Sequence, residues 1–284
     1  MEKIVVVTGS NKGIGYAIVE NLCKKIKGTI YMTARNPDLG NAALDKLKAE
    51  NSDILSNVEF FPLDLTKKET CENLKSHLEE KHGGLDVLVN NAGMAYKNDS
   101  DAPFSEQAEV TAKTNYFGTL DVCRILFPIL NPGARVVNVS SQAGMLRIVK
   151  SEDLKKKLLS NTLSMEELSN IVHDFINATK EDKHRDLGFP NSAYGMSKVA
   201  VTAMTRVLQR ELDKDRPQDN IVVTACCPGY VDTDMSSHKG HLTIQQGAVT
   251  PSWLALMPDN EAAAAKGRFF YQCAEKDWTG VSSL

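Results

Sequence analysis

Four β-branched residues running straight into a glycine-punctuated turn constrain this chain more than any other feature. Ile4-Val5-Val6-Val7 has no polar side, as expected of a strand buried on both faces of a parallel sheet. It leads into Thr8-Gly9-Ser10-Asn11-Lys12-Gly13-Ile14-Gly15, after which Ile14, Ala17, Ile18 and Leu22 fall on one face of a helix reaching about Lys25. Strand, glycine turn and helix is the setting in which a helix N-terminus meets a pyrophosphate. The glycines let the chain turn tightly and bring its backbone close to the ligand. The spacing here is G-x-x-x-G-x-G, not the commoner G-x-G-x-x-G.

The same alternation continues. Strand-like runs recur at 29–34, 58–63, 85–89, 134–139, 221–226 and 269–271, and helical patterns separate most of them. A long helix is expected from about 112 to 130. The predicted fold is α/β, a Rossmann-like doubly wound parallel sheet in a single domain over 1–284. Two features interrupt it: a charged, amphipathic helical insertion at about 150–187, and a mobile, Ser-, Gly-, His- and Gln-rich loop at about 236–250. Within the insertion, Ser164 and Glu167 have the spacing of a capping box.

A chain of 284 residues is long enough for a sizeable core. Its net charge of -3 gives no basic surface for nucleic acid. Six cysteines without a C-x-x-C pair argue for reduced thiols and against a disulfide framework or a zinc site. No leader peptide or membrane-length apolar run is read, so a cytoplasmic protein is expected. The terminal Ser282-Ser283-Leu284 matches no targeting tripeptide. The sequons at Asn98, Asn138 and Asn177 are taken as chance matches. His238 and His241 lack a third ligand, so no metal site is expected.

Candidate ligand contacts cluster where strands end. Arg35 follows the second strand, where an acid would bind a ribose 2′-hydroxyl and an arginine accommodates a 2′-phosphate. With Lys12 in the glycine turn, this favours NADP over NAD, and Asp38 is the rival ribose ligand. Asp64-Leu65 closes the third strand, either beside an adenine or as a helix cap. Asn90-Asn91-Ala92-Gly93 closes the fourth, with small residues that leave room for a ribose. Asn115 sits in the long helix and either completes a structural network or holds a water on a proton path. Of Ser140 and Ser141, at the end of the fifth strand, only one can face the ligand crevice. Tyr194 and Lys198 lie one helical turn apart, so the ammonium is expected to lower the phenol pKa from about 10. After the sixth strand, Cys227-Pro228-Gly229-Tyr230 turns the chain across the crevice, where Val231 and Thr233 are placed to meet a nicotinamide carboxamide.

Together, Thr8 to Gly15, Asn90 to Gly93, Asn115, Ser141, Tyr194 with Lys198, and Pro228-Gly229 resemble the short-chain dehydrogenase/reductase family over almost the whole chain. The resemblance implies Tyr194 as acid/base. It implies Lys198 as the group that lowers the tyrosine pKa and binds ribose, Ser141 as a hydrogen-bond donor to the carbonyl oxygen, and Asn115 as keeper of the proton relay. Ser141 is favoured over Ser140 because Ser141-Gln142-Ala143-Gly144 fits the family's run after its serine. Asn11-Lys12-Gly13, Thr33-Ala34-Arg35, Ala225-Cys226-Cys227-Pro228-Gly229 and the insertion before Tyr194 are most similar to the monomeric, NADPH-dependent carbonyl reductases of animals. That likeness implies reduction of ketones, aldehydes or quinones. It also implies a monomer whose insertion covers the surface other members use to dimerise, and a cysteine, Cys227, that can contact glutathione conjugates. Tyr230 stands where mammalian relatives carry tryptophan, so their substrate preference is not carried over. Alternative readings are an alcohol or steroid dehydrogenase and a non-catalytic NADPH-binding regulator.

Overall fold

The computed structural model describes residues 2–97 and 99–280; Asn98 and the tripeptide 282–284 lie outside the described residues. The chain begins β1 (Lys3–Val7), α1 (Gly13–Cys23), β2 (Gly28–Ala34), α2 (Pro37–Glu50), β3 (Asn57–Pro62), α3 (Lys68–His82) and β4 (Leu85–Asn90). Next come α4 (Phe104–Ala112), a π-helical turn (Lys113–Gly118), α5 (Thr119–Leu126) and β5 (Leu130–Val139). The chain continues through α6 (Glu152–Leu159), α7 (Met165–Lys180), α8 (Ala193–Asp215), β6 (Val222–Cys227), α9 (Ile244–Ala255), α10 (Asp259–Ala265), β7 (Phe269–Tyr271) and β8 (Ala274–Glu275).

The strands form one sheet in the order β3-β2-β1-β4-β5-β6-β7-β8. All neighbours are parallel except β7 and β8. The chain builds outward from β1 through β2 to β3, then crosses back to lay β4 on the other side of β1. That reversal opens a crevice beyond the carboxyl ends of β1 and β4, where ligands bind in sheets of this kind.

Strand alternation divides the core in two. Val5, Val7, Ile30, Met32, Val87, Val89, Val137 and Val139 face one side, with the apolar stripes of α1, α2 and α9. Ile4, Val6, Tyr31, Leu88, Val136 and Val223 face the other, with α3, α5, α7 and α8. Each fully buried valine stabilises the fold by about 1.5–3 kcal/mol, which is why the β1 run has no polar side. The insertion joins this second core through Leu154, Leu158, Leu168 and Phe175. Its second helix opens with the expected capping box: Glu167 N donates to Ser164 Oγ at 3.1 Å, and Ser164 N to Glu167 Oε2 at 2.7 Å.

Three expectations change. The helix carrying Asn115 starts at Phe104, eight residues earlier than read, and passes through a π-helical turn before ending near Leu126. The fifth strand begins at Leu130, so the expected end of that helix is already sheet. Residues 244–250, read as part of a mobile loop, form the start of α9. Thr243 caps that helix, with Thr243 N donating to Gln246 Oε1 at 2.9 Å and Gln246 N to Thr243 Oγ1 at 3.2 Å.

Candidate active site

The glycine turn is tied to the ends of two strands. Thr8 Oγ1 accepts from Asn91 N at 3.0 Å and Ala92 N at 2.9 Å. Asn91 Nδ2 returns bonds to the carbonyls of Thr8 at 3.1 Å and Gly9 at 3.0 Å. A Cβ at Gly9 would lie 2.8 Å from Ala92, so the turn packs against the segment after β4 only as glycine. Ser10 points inward: its hydroxyl donates to Val7 O at 2.9 Å and accepts from Thr33 N at 2.9 Å. Expected as a ligand contact, it instead holds the turn to β2. Asn11, Gly13 and Ile14 are partly exposed and Gly15 is buried. Gly13 has φ +58, and α1, which begins there, has no side-chain cap. The first-turn amides are therefore not spent on a cap, which suits an anion.

Beside the turn, Arg35 stands exposed at the end of β2. Asp64 is half-buried and Leu65 buried after β3. Asp64 does not cap α3, whose N-cap is Lys67. It accepts from Thr66 N at 3.0 Å and Thr66 Oγ1 at 2.7 Å. Burial works against its charge, but the Thr66 bonds, Lys67 and Arg35 outweigh it and hold the carboxyl below its ordinary range. Gly93 is the open spot in front of the lysine: a Cβ there would lie 3.2 Å from Asn115 Oδ1 and 3.7 Å from Lys198 Nζ.

The residues expected to handle the proton converge from three elements. Lys198, on the first turns of α8, is buried and donates from Nζ to Val139 O at 2.7 Å. Its Nζ lies 5.7 Å from the Tyr194 ring centre. The Ser141 hydroxyl accepts from Ala143 N at 3.1 Å and sits close enough to the Tyr194 phenol to pull its pKa down. Ser140 faces the other way: buried, it donates to Lys198 O at 3.0 Å and meets Thr202 Oγ1 at 2.7 Å. The structure thus leaves Ser141 on the crevice side. The Asn115 side chain is fully engaged. Its Nδ2 donates to Met94 O at 2.9 Å and Ser197 Oγ at 3.0 Å, and its Oδ1 accepts from Met94 N at 2.8 Å. Ser197 Oγ in turn donates to Tyr194 O at 2.7 Å. Of the two readings of Asn115, its side chain follows the structural one, with both donors spent on protein.

The expected depression of the tyrosine pKa is not what this geometry gives. Burial pushes the Tyr194 hydroxyl up to about 12, against the lowering effect of the Ser141 hydroxyl. Burial also pushes Lys198 down to about 8. Desolvation penalises the charged form of each group and here outweighs the spacing of one helical turn.

The segment after β6 crosses the crevice. The Cys227 thiol is buried and accepts from Gly229 N at 3.3 Å. Burial pushes its pKa up, against bonds from Gly229, Gln142 and Ser141. Pro228 and Gly229 are partly exposed, Gly229 at φ +89, and Tyr230 is exposed with its ring 6.0 Å from His241. The Val231 side chain turns inward against Gly247, while the Thr233 methyl lies 3.5 Å from where a Gly13 Cβ would stand. Lys12 is engaged here: its Nζ bonds Asp234 Oδ2 at 2.5 Å. Asp234 also meets His238 Nε2 at 3.2 Å, and His238 Nδ1 meets Asp232 Oδ1 at 2.7 Å.

Several contributors escaped the sequence reading. Met94 and Ser197 hold the candidate residues in place and have no motif of their own, and the part Thr8 plays in tying the turn to Asn91 and Ala92 is not visible in its motif. Trp278 is the least legible. It is buried near the end of the described chain, and its Nε1 donates to Gly144 O at 2.8 Å. Leu146 N donates to Trp278 O at 3.0 Å, so Trp278 grips the serine turn at two points.

Residues 3–151 and 186–242 match the family model for short chain dehydrogenases, and the chain belongs to that family. Membership makes the protein an oxidoreductase. It is 43% identical to carbonyl reductase (NADPH) 1 of Homo sapiens over 277 residues, 97% of this chain and 98% of the relative. It is 45% identical to carbonyl reductase (NADPH) 3 of Rattus norvegicus over 257 residues, 90% and 91% of the two chains. Among solved structures it resembles salutaridine reductase from Papaver somniferum, with TM-score 0.82 and 32% identity over 96% of this chain and 100% of that one. Menthone neomenthol reductase from Mentha piperita matches at TM-score 0.78 and 26% identity, over 95% and 98%. No helix among the described residues is long and apolar enough to cross a membrane.

Proposed function

We propose that the protein is an NADPH-dependent carbonyl reductase that acts on ketones, aldehydes or quinones, with Tyr194 as the proton donor. One observation carries the reading: the Ser141 hydroxyl acts on the Tyr194 phenol, pulling its pKa down against burial, beside a buried Lys198 whose Nζ is 5.7 Å from the Tyr194 ring centre. A carbonyl oxygen placed there accepts from both hydroxyls, which stabilises the charge it gains. Bound NADPH supplies the hydride. Tyr194, with a pKa near 12, stays protonated at neutral pH and is thus a donor ready for an alkoxide. Lys198, near 8, keeps most of its charge at pH 7 and favours the phenolate left behind. Asn115 supports the relay by fixing Met94 and, through Ser197, the start of α8.

The residues present fit the cofactor. Gly93 leaves open the space before Lys198 that a side chain would fill, and the first turn of α1 keeps its amides free of a side-chain cap. Gly13, Ile14 and Gly15 would hold the pyrophosphate through their backbone, with Gly9, Ser10 and Asn11 shaping the turn. Asp64 and Leu65 would flank the adenine, and Asn91, Ala92, Gly93, Tyr194 and Lys198 the nicotinamide ribose. Pro228, Gly229, Val231 and Thr233 would border the carboxamide. Arg35 is the main cation for the 2′-phosphate, because Lys12 reaches it only by leaving Asp234. Cys227 and Tyr230 would line the substrate side. As a buried, neutral thiol, Cys227 would meet a glutathione conjugate by packing. Free thiols at all six cysteines suit a reducing, cytoplasmic setting.

The test is oxidation of NADPH and NADH with a simple quinone, by wild type and by Arg35→Asp. A strong NADPH preference that collapses in the variant is expected. Turnover without cofactor preference would remove Arg35 from the 2′-phosphate site. Absence of turnover over a broad carbonyl panel would overturn the reductase reading.

A further inference from the structure

Next to the serine turn lies an open groove of about 980 Å³ that the mechanism above does not use. Its inner end is formed by Ala143 and Ser192. Ala143 N bonds the Ser141 hydroxyl at 3.1 Å, and Ser192 caps α8 two residues before Tyr194. The groove therefore opens beside the residues proposed to receive the carbonyl. Ile148 and Phe189 give it an apolar floor, and Ile148 also reaches α8, where its Cδ1 lies 2.8 Å from the position of a Gly195 Cβ.

The rim is charged with one sign. Arg147, Lys150 and Arg185 line the groove, and no acid does so among the described residues. None of the three side chains has an ion pair or hydrogen bond among the described residues. A fourth donor is fixed nearby. Asn191 Oδ1 is bonded at 2.9 Å by Nε2 of His184, a buried side chain, and the Asn191 amide nitrogen at the groove wall has no partner among the described residues. Two planar guanidinium groups, an ammonium and an oriented amide above an apolar floor match a carboxylate on a hydrocarbon chain. Cations left unpaired by the described residues, around a concave apolar surface, select such an amphiphile over a neutral one of the same shape.

We propose that this groove is a recognition site for the carboxylate of an aliphatic acid, and that preferred carbonyl substrates carry such a group remote from the carbonyl. The claim about substrates rests on the reductase reading; the claim about binding stands on the groove.

The experiment compares kcat/KM for a medium-chain ω-oxo fatty acid and for its methyl ester, with an uncharged quinone as reference. Wild type is expected to favour the acid about tenfold or more, the gain from one charge-assisted hydrogen bond. Arg147→Glu with Arg185→Glu should abolish that preference and leave the quinone rate unchanged. The neutral pair Arg147→Gln and Arg185→Gln, which perturbs folding less, should give an intermediate ratio. Equal turnover of acid and ester by wild type would overturn the proposal, as would an acid preference that survives either double variant. If wild type reduces neither the quinone nor the oxo acid, the reductase reading fails separately. Calorimetric titration with decanoate then decides the groove: binding weakened about tenfold by the double reversal supports it, and absence of binding overturns it.

Discussion

At the residue scale, desolvation dominates the chemistry of the site. A tyrosine and a lysine one helical turn apart suggest a depressed phenol pKa from spacing alone, yet burial sends the phenol up to about 12 and the ammonium down to about 8. The two shifts have opposite consequences for the pH profile. Tyr194 stays protonated throughout the working range, so its own ionisation gives no limb. Lys198 is charged below its pKa and loses that charge as pH rises through about 8. The reductive kcat/KM should therefore be flat below that value and decline above it. In Lys198→Met the decline should vanish along with most of the rate, whereas a limb that persists there belongs to another group. Tyr194→Phe should lower kcat by about 10²–10⁴-fold. NADPH affinity, read by fluorescence titration, should fall far less than kcat, because phenylalanine keeps the ring that would flank the ribose and Lys198 and the glycine turn are untouched.

At the scale of elements, the strands and the glycine turn were legible because fully apolar β-branched runs and glycines at fixed spacing are local signals. The π-helical turn under Asn115 was not, since one altered turn within an apolar helix leaves the side-chain pattern nearly intact. The start of α9 carried a readable signal in Thr243 and Gln246, but the polar residues before it suggested a loop. The grip of Trp278 on Gly144 spans 134 positions and no local pattern announces it. That grip has a testable role. The serine turn carries Ser141 and its Gly144 packs against the backbone of Lys198, where a Cβ would overlap it. Trp278 therefore positions both. Trp278→Phe keeps most of the packing and removes the indole donor from Gly144 O. It should lower kcat several-fold at little cost in KM for NADPH, with a net stability loss of about 0.5–1.5 kcal/mol. A variant that loses stability by that amount but keeps full kcat would restrict Trp278 to a structural role.

At the scale of the whole molecule, the insertion is packed as part of the core and not as an appendage. Its second helix, α7, packs against both α4 and α8, and Phe175 at its centre is fully buried. The Phe175 ring lies 5.6 Å from Phe189 and 6.4 Å from Phe104, centre to centre. Those contacts tie the insertion both to the helix leading to Asn115 and to the segment leading to Tyr194. An appendage would melt alone; an integral helix would take the domain with it. Phe175→Ala removes a ring from a well-packed site, which costs about 3–5 kcal/mol. Calorimetry should show one transition, shifted down as a whole, and reductase activity should fall at the same temperature. Two separated transitions, with the larger unmoved, would mark the insertion as independent. α7 covers α4 and α8, and the likeness to monomeric reductases implies that this covered face is the one other family members use to dimerise; we therefore propose a monomer, for which sedimentation of the wild type should give a single species of one chain. In Phe175→Ala, where α7 is loosened, self-association at raised concentration is the expected sign that this same face was what α7 had been covering.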